Sequence, residues 1–145
     1  MKRQAGFTLI ELIMVIVVLG ILAATAAPKF ANMQSAARIA ALNGIVSAMN
    51  TAGKIAHSVQ QMTGVASNVA VNMDGQSINM VNGYPASASP GIYEALDIDK
   101  TTYVWSTASG VYISGTIACY VGWTEATAGA TATAASATGL TTTDC

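Results

Sequence analysis

The feature that most constrains this chain is an apolar run from Phe7 to Ala27, preceded by Lys2 and Arg3 and closed by Pro28. Twenty-odd helical residues at about 1.5 Å each span roughly 30 Å, the thickness of a bilayer core. Positive charge just before such a run places that end in the cytoplasm. One reading is a secretory signal peptide, cut after the run among the residues Ala23 to Ala27. A plain signal anchor is another. Glu11 weighs against both, because it stands inside the run, where a carboxylate costs on the order of 3 kcal/mol to insert. An ionisable group at that depth is functional by default and implies a partner for its charge.

Composition narrows the classes further. Charged residues make up 9% of the 145 and hydrophobic ones 52%, too apolar for a disordered chain and too sparse in charge for an ordinary cytosolic enzyme. With a net charge of −1 and scattered Lys and Arg, no basic face is available to follow a phosphate backbone, so nucleic acid is not an expected partner. A single histidine, His57, with no metal-spaced cluster and no nucleophile–base constellation, predicts no catalytic residues, no metal and no cofactor. The cysteines are Cys119 and Cys145. Outside the cytoplasm two cysteines pair as a rule, and inside it they stay as thiols. The residues alone leave both readings open.

The string Gly6-Phe7-Thr8-Leu9-Ile10-Glu11 closely resembles the prepilin cleavage motif of type IV pilins. The resemblance covers about the first third of the chain. It implies that a prepilin peptidase cuts between Gly6 and Phe7, making residues 1–6 a leader, and methylates the new amine of Phe7. Gly20 and Pro28 match the family's helix-weakening positions, and the short leader and Phe7 fit its type IVa branch. Glu11 then has a physical role. In a staggered stack, the amine of an incoming subunit meets Glu11 of a neighbour, and pairing two charges otherwise stranded in apolar surroundings selects register. The bland alternative is a Glu11 that only snorkels to the interface.

Beyond Pro28 the apolar positions Phe30, Met33, Ala37, Ala41, Ile45, Ala48, Ala52, Ile55, Val59 and Met62 recur every three or four residues. This predicts an amphipathic helix over 29–63 with one face on a globular head, stopped at Gly64. His57 reads as a solvated helix residue. Residues 64–123 read as β-rich. Asp74-Gly75 signals a two-residue hairpin with Val69 opposite Met80 and Val71 opposite Ile78. Gly83 to Gly91 reads as a loop, and Ile92 to Leu96 as a short helical turn. Strands are expected at Tyr103–Thr107, Val111–Ser114 and Ile117–Trp123, with a turn at Ser109-Gly110. Alternation in the last strand sets Cys119 on an apolar, inward face.

Thr124 to Asp144 is almost wholly Ala, Thr, Gly and Ser, the composition of a flexible tail. The terminal Cys145 changes that reading. A C-terminal disulfide loop recurs in type IV pilins, and the resemblance therefore implies a Cys119–Cys145 bridge over 119–145. Cys119-Tyr120-Val121, followed by an Ala/Thr-rich passage to a terminal cysteine, looks like the mannose-sensitive haemagglutinin pilins in particular.

The resemblance implies the α+β type IV pilin fold: a long N-terminal helix, with 7–28 as membrane and filament-core half, packed on a small antiparallel sheet. It implies a major pilus subunit, with a minor pilin or secretion pseudopilin as the alternative, and not an enzyme. The implied partners are copies of the chain itself, membrane lipid before assembly, the prepilin peptidase, an inner-membrane assembly platform with its cytoplasmic ATPase motor, and a surface or glycan ligand. The implied location is the inner membrane first, then a pilus on a Gram-negative surface.

Overall fold

The computed structural model describes residues 6–107, 110–116, 118–128, 134–143 and 145, with 31 and 32 described by backbone alone. One helix, α1, runs from Leu9 to Thr63 and contains Pro28. Gly64 ends it with φ +67° and donates its N–H to the Gln60 carbonyl at 3.1 Å, the left-handed stop that a Cβ would disfavour. The chain divides into two compact units, residues 1–36 and 37–145, so the boundary falls inside the expected 29–63 segment.

In the first unit the large apolar side chains of α1 are exposed, Leu9 at 75% and Leu22 at 58% among them. The helix is long and apolar enough to cross a membrane.

The second unit has a core. From α1 it takes Leu42, Ile45, Met49 and Ala52, which meet Ile92, Leu96, Val111, Cys119, Val121 and Trp123. A smaller cluster joins Ala56 to Val71, Ile78 and Met80. The buried stripe is thus offset from the expected one. Ile45 and Ala52 belong to both, but Phe30, Met33, Ile55 and Met62 are exposed, while Leu42, Met49 and Ala56 are buried. An alanine-rich helix is apolar on more than one face, so periodicity identifies the helix without setting the phase of its buried side.

Eight strands follow α1. Strands β1 (Val71–Met73) and β2 (Gln76–Ile78) form the Asp74-Gly75 hairpin, with Val71 opposite Ile78 as expected. The expected Val69–Met80 pair is absent. Met80 instead opposite Pro85 opens a second hairpin, β3 (Met80–Val81) with β4 (Tyr84–Pro85), and this converts the start of the expected Gly83–Gly91 loop into strand. Its turn residues Asn82 and Gly83 both have positive φ, which ends the first ladder early. The turn at Ile92–Leu96 is present, with Ala95 donating to the Gly91 carbonyl at 3.3 Å.

The main sheet is antiparallel in the order β5 (Tyr103–Ser106), β6 (Gly110–Ile113), β7 (Cys119–Thr124), β8 (Ser136–Thr142). Ser109 and Ile117, named in the expected turn and strand, lie outside the described residues. Gly110 has φ +103°, and a Cβ there would stand 2.1 Å from the Val121 carbonyl oxygen, so the β6–β7 approach requires glycine. Trp123 closes one end of the core, its indole N–H donating to the Pro85 carbonyl at 2.9 Å. It lies against Gly53 of α1, where any Cβ would come within 2.7 Å of the ring.

Strand β8 corrects the flexible-tail reading of Thr124 to Asp144. Seven residues, Ser136–Thr142, pair with β7 in the register Cys119↔Thr142, Val121↔Leu140 and Trp123↔Ala137. They carry little hydrophobic alternation. Their pairing groups are supplied by the otherwise open edge of β7. His57 is also corrected. It is half-buried, its ring stacked on Tyr84 at 4.2 Å with 3° between planes. Nδ1 stands 2.6 Å from the Gly83 carbonyl oxygen and Nε2 2.7 Å from Gln61 Nε2. The neutral ring satisfies both by donating from Nδ1 and accepting at Nε2. His57 thereby ties the second hairpin to α1.

Candidate assembly site

Residues 6–8 lie outside the helix, immediately before Leu9. Phe7 is 93% exposed, and a Cβ on Gly6 would meet nothing within 4 Å. The Gly6–Phe7 peptide therefore sits on an open, non-helical stretch. Residues 1–5 of the expected leader lie outside the described residues.

Thr8 begins α1 as its N-cap. Its backbone N–H and its hydroxyl both donate to Glu11 Oε2 at 2.8 Å, and the Glu11 N–H points back to the Thr8 hydroxyl at 3.3 Å. This is a reciprocal capping box, Thr-x-x-Glu. It satisfies donors at the first turn that lipid would leave unpaired. It also gives the Glu11 carboxylate hydrogen-bond partners within its own chain. The capping signal, Thr-x-x-Glu, is carried by Thr8-Leu9-Ile10-Glu11, the same residues that carry the cleavage motif.

Removing the Thr8 hydroxyl tests the box. Thr8→Ala is expected to weaken the first turn by about 1 kcal/mol, raising amide exchange at Glu11 and Leu12, whose N–H groups bond to Thr8, about fivefold in detergent-solubilised chain, with Thr8→Ser restoring protection. Equal exchange in all three chains would show that the cap contributes nothing.

Gly20 and Pro28 both lie within α1, which continues through them. A Cβ at Gly20 would meet nothing within 4 Å. Pro28 has no N–H to offer the Ala24 carbonyl. Three residues before it, the Thr25 hydroxyl donates to the Leu22 carbonyl at 2.9 Å.

In the second unit, Cys119 and Cys145 form a disulfide with Cα atoms 5.0 Å apart. Cys119 is fully buried and inward, as its alternation predicts. Two residues missed in the sequence hold the far end of this segment to α1. Arg38 Nη1 donates to the Cys145 carbonyl oxygen at 3.2 Å, and Asn50 Oδ1 accepts the Ala137 N–H at 2.9 Å. No sequence signal marks them, since they meet their partners 107 and 87 residues away. Among the described residues no group of three or more His, Cys, Asp or Glu could hold a metal ion.

Residues 1–27 match the family model "Prokaryotic N-terminal methylation motif". A "Fimbrial protein" of Pseudomonas aeruginosa is 43% identical over 56 residues, 39% of this chain and 36% of that protein. The "Type IV narrow pilus major component PilA5" of Thermus thermophilus is 37% identical over 75 residues, 52% of this chain and 65% of that protein. The chain thus spans about a third of the first relative's length and just under two thirds of the second's. No solved structure matches. A long N-terminal helix, an antiparallel sheet and a Cys119–Cys145 bridge fit the type IV pilin fold.

Proposed function

We propose that this chain is a subunit of a type IV pilus, held in the inner membrane as a precursor and then polymerised into a surface filament. The observation that carries the reading is the methylation motif over residues 1–27, lying on a helix start whose apolar side chains are exposed and long enough in sequence to span a bilayer. Such a surface needs cover, first from lipid and then from copies of itself. A prepilin peptidase cuts between Gly6 and Phe7 and methylates Phe7. The new amine then pairs with Glu11 of a neighbour. Until that moment the Thr8 cap satisfies Glu11, so assembly exchanges one set of partners for another.

Replacing lipid by neighbouring apolar helices gains little hydrophobic energy, because lipid tails are as apolar as leucine. Extraction is therefore driven from outside, by an assembly platform with a cytoplasmic ATPase. Gly20 to Pro28 is the weakest stretch of α1, through glycine's backbone entropy and the missing proline N–H. It loses regular helical hydrogen bonds in the filament. A filament map showing a straight, fully bonded helix from Phe7 through Met62 would refute that part.

The intact Glu11 favours a major, repeating subunit over a tip subunit. The Ala/Thr-rich passage from Cys119 to Cys145 favours the mannose-sensitive haemagglutinin branch, hence an adhesive pilus on a Gram-negative cell. Mass spectrometry of the sheared surface fraction tests the whole reading. The expected species is abundant, starts at a methylated Phe7 and keeps its disulfide. A chain found only in the membrane, with residues 1–6 attached, would overturn it.

A further inference from the structure

Most charges of the described chain are already engaged. Glu94 pairs with Lys100, whose ammonium also lies 5.2 Å from the centre of the Tyr93 ring. Glu125 Oε1 accepts from the Ser87 N–H and hydroxyl at 2.6 and 2.7 Å. Arg38 donates to Cys145. Asp99 accepts from the hydroxyls of Thr102 and Thr101 at 2.6 and 2.7 Å and from the Thr101 N–H at 3.0 Å, and these bonds hold its carboxyl down at about 2.

Two carboxylates, Asp74 and Asp97, have no hydrogen bond or ion pair among the described residues, and both line one groove. It consists of two cavities of about 360 and 490 Å³ that share Met73, Asp74, Ala95, Leu96 and Asp97. The helical wall is Ser47, Ala48, Thr51, Ala52 and Ile55, and the first cavity is also lined by Glu94 and Lys100, which pair with each other, so Asp74 and Asp97 are the unpaired charges of the groove. Such a shape suits a cation carried on an apolar stem.

Lys29 and Lys54 are exposed cations of that kind, both without a side-chain partner among the described residues, and Lys29 is the one at the end of the apolar run. It directly follows the 7–28 span and is flanked by Pro28 and Phe30. In the precursor it lies at the bilayer edge, where a lysine stem stays on apolar surface and the ammonium reaches lipid headgroups. Leaving the bilayer removes those phosphates while apolar helices close around the stem. An ammonium so placed needs a new counter-charge, since leaving it unpaired and desolvated is costly.

Resting on the pilus reading, we propose that in the filament Lys29 of one copy docks in the Asp74–Asp97 groove of a second copy. The pair is a second, head-level register contact, separate from the one at Glu11. It is formed only after the membrane has been left, so it favours the filament over the precursor. Its charges also reject a neighbour displaced along the axis, for which like charges or apolar surface would face them.

Charge reversal and cross-linking test this in whole filaments. Lys29→Glu is expected to lower the sheared surface fraction about tenfold. The double exchange Lys29→Glu with Asp97→Lys should restore most of it. Zero-length carbodiimide cross-linking of wild-type filaments should give a dimer band whose peptides join Lys29 to Asp74 or Asp97, absent in Lys29→Gln. Filaments of Lys29→Glu at wild-type abundance, or dimers without a Lys29 linkage, overturn the docking while leaving the pilus reading intact. A Lys29 linkage found only within single chains also overturns it. Wild-type chain confined to the membrane overturns both.

Discussion

A Gly6→Val chain is expected to retain residues 1–6 and to build no surface filament. Under the pilus reading the peptidase pocket leaves no room for a side chain at this position, and the scissile bond lies just after it. Gly6 is exposed, and an added Cβ meets nothing within 4 Å, so valine cannot act by disturbing the fold. Lost filaments would then report lost processing. Without cleavage the amine that pairs with Glu11 never forms, and Lys2 and Arg3 remain on the cytoplasmic side, where drawing them through the bilayer core costs several kcal/mol. Intact-mass measurement of the membrane fraction should show the leader still attached, while the head keeps its disulfide. Normal filaments built from uncleaved Gly6→Val chains would sink the processing assignment.

The second large effect is on the head. Cys145→Ser opens a closed loop of 26 residues' separation, worth about 3.5 kcal/mol in the chain-entropy account. For a unit of this size that is a fall in melting temperature of roughly 10 to 20 °C. The loss should be local first. Strand β8 contributes few large apolar side chains, so its order rests on the bridge, its ladder to β7, the Asn50 contact at Ala137 and the Arg38 contact at Cys145. Protease should cut between Thr124 and Thr143 in the variant, while α1 still inserts in the membrane. Reducing agent on the wild-type chain should reproduce the pattern. An unchanged melting temperature and an uncut tail would mean that the ladder and the two helix contacts hold β8 without the bridge.

The N-terminal helix was legible because an apolar run long enough to span a bilayer has one strict demand, that its backbone hydrogen bonds be made internally. A helix start, an apolar run of sufficient length and a carboxylate within that run each have few explanations, and Gly6 through Glu11 narrowed them to one family resemblance. The Asp74-Gly75 hairpin and the inward face of Cys119 were legible for a similar reason: a two-residue turn and a period of two are local properties. Tertiary contact decided the rest. Which side of α1 is buried depended on where the sheet lies, because alanines offer it several nearly equal faces; Leu42, Met49 and Ala56 went in, and Ile55 and Met62 stayed out. His57 was placed by Tyr84 and Gly83, residues with no local relation to it. Strand β8 has a composition that resists any sequence assignment. It is a strand because the edge of β7 offers unpaired backbone groups, and because Cys145, Arg38 and Asn50 bring the chain back to that edge.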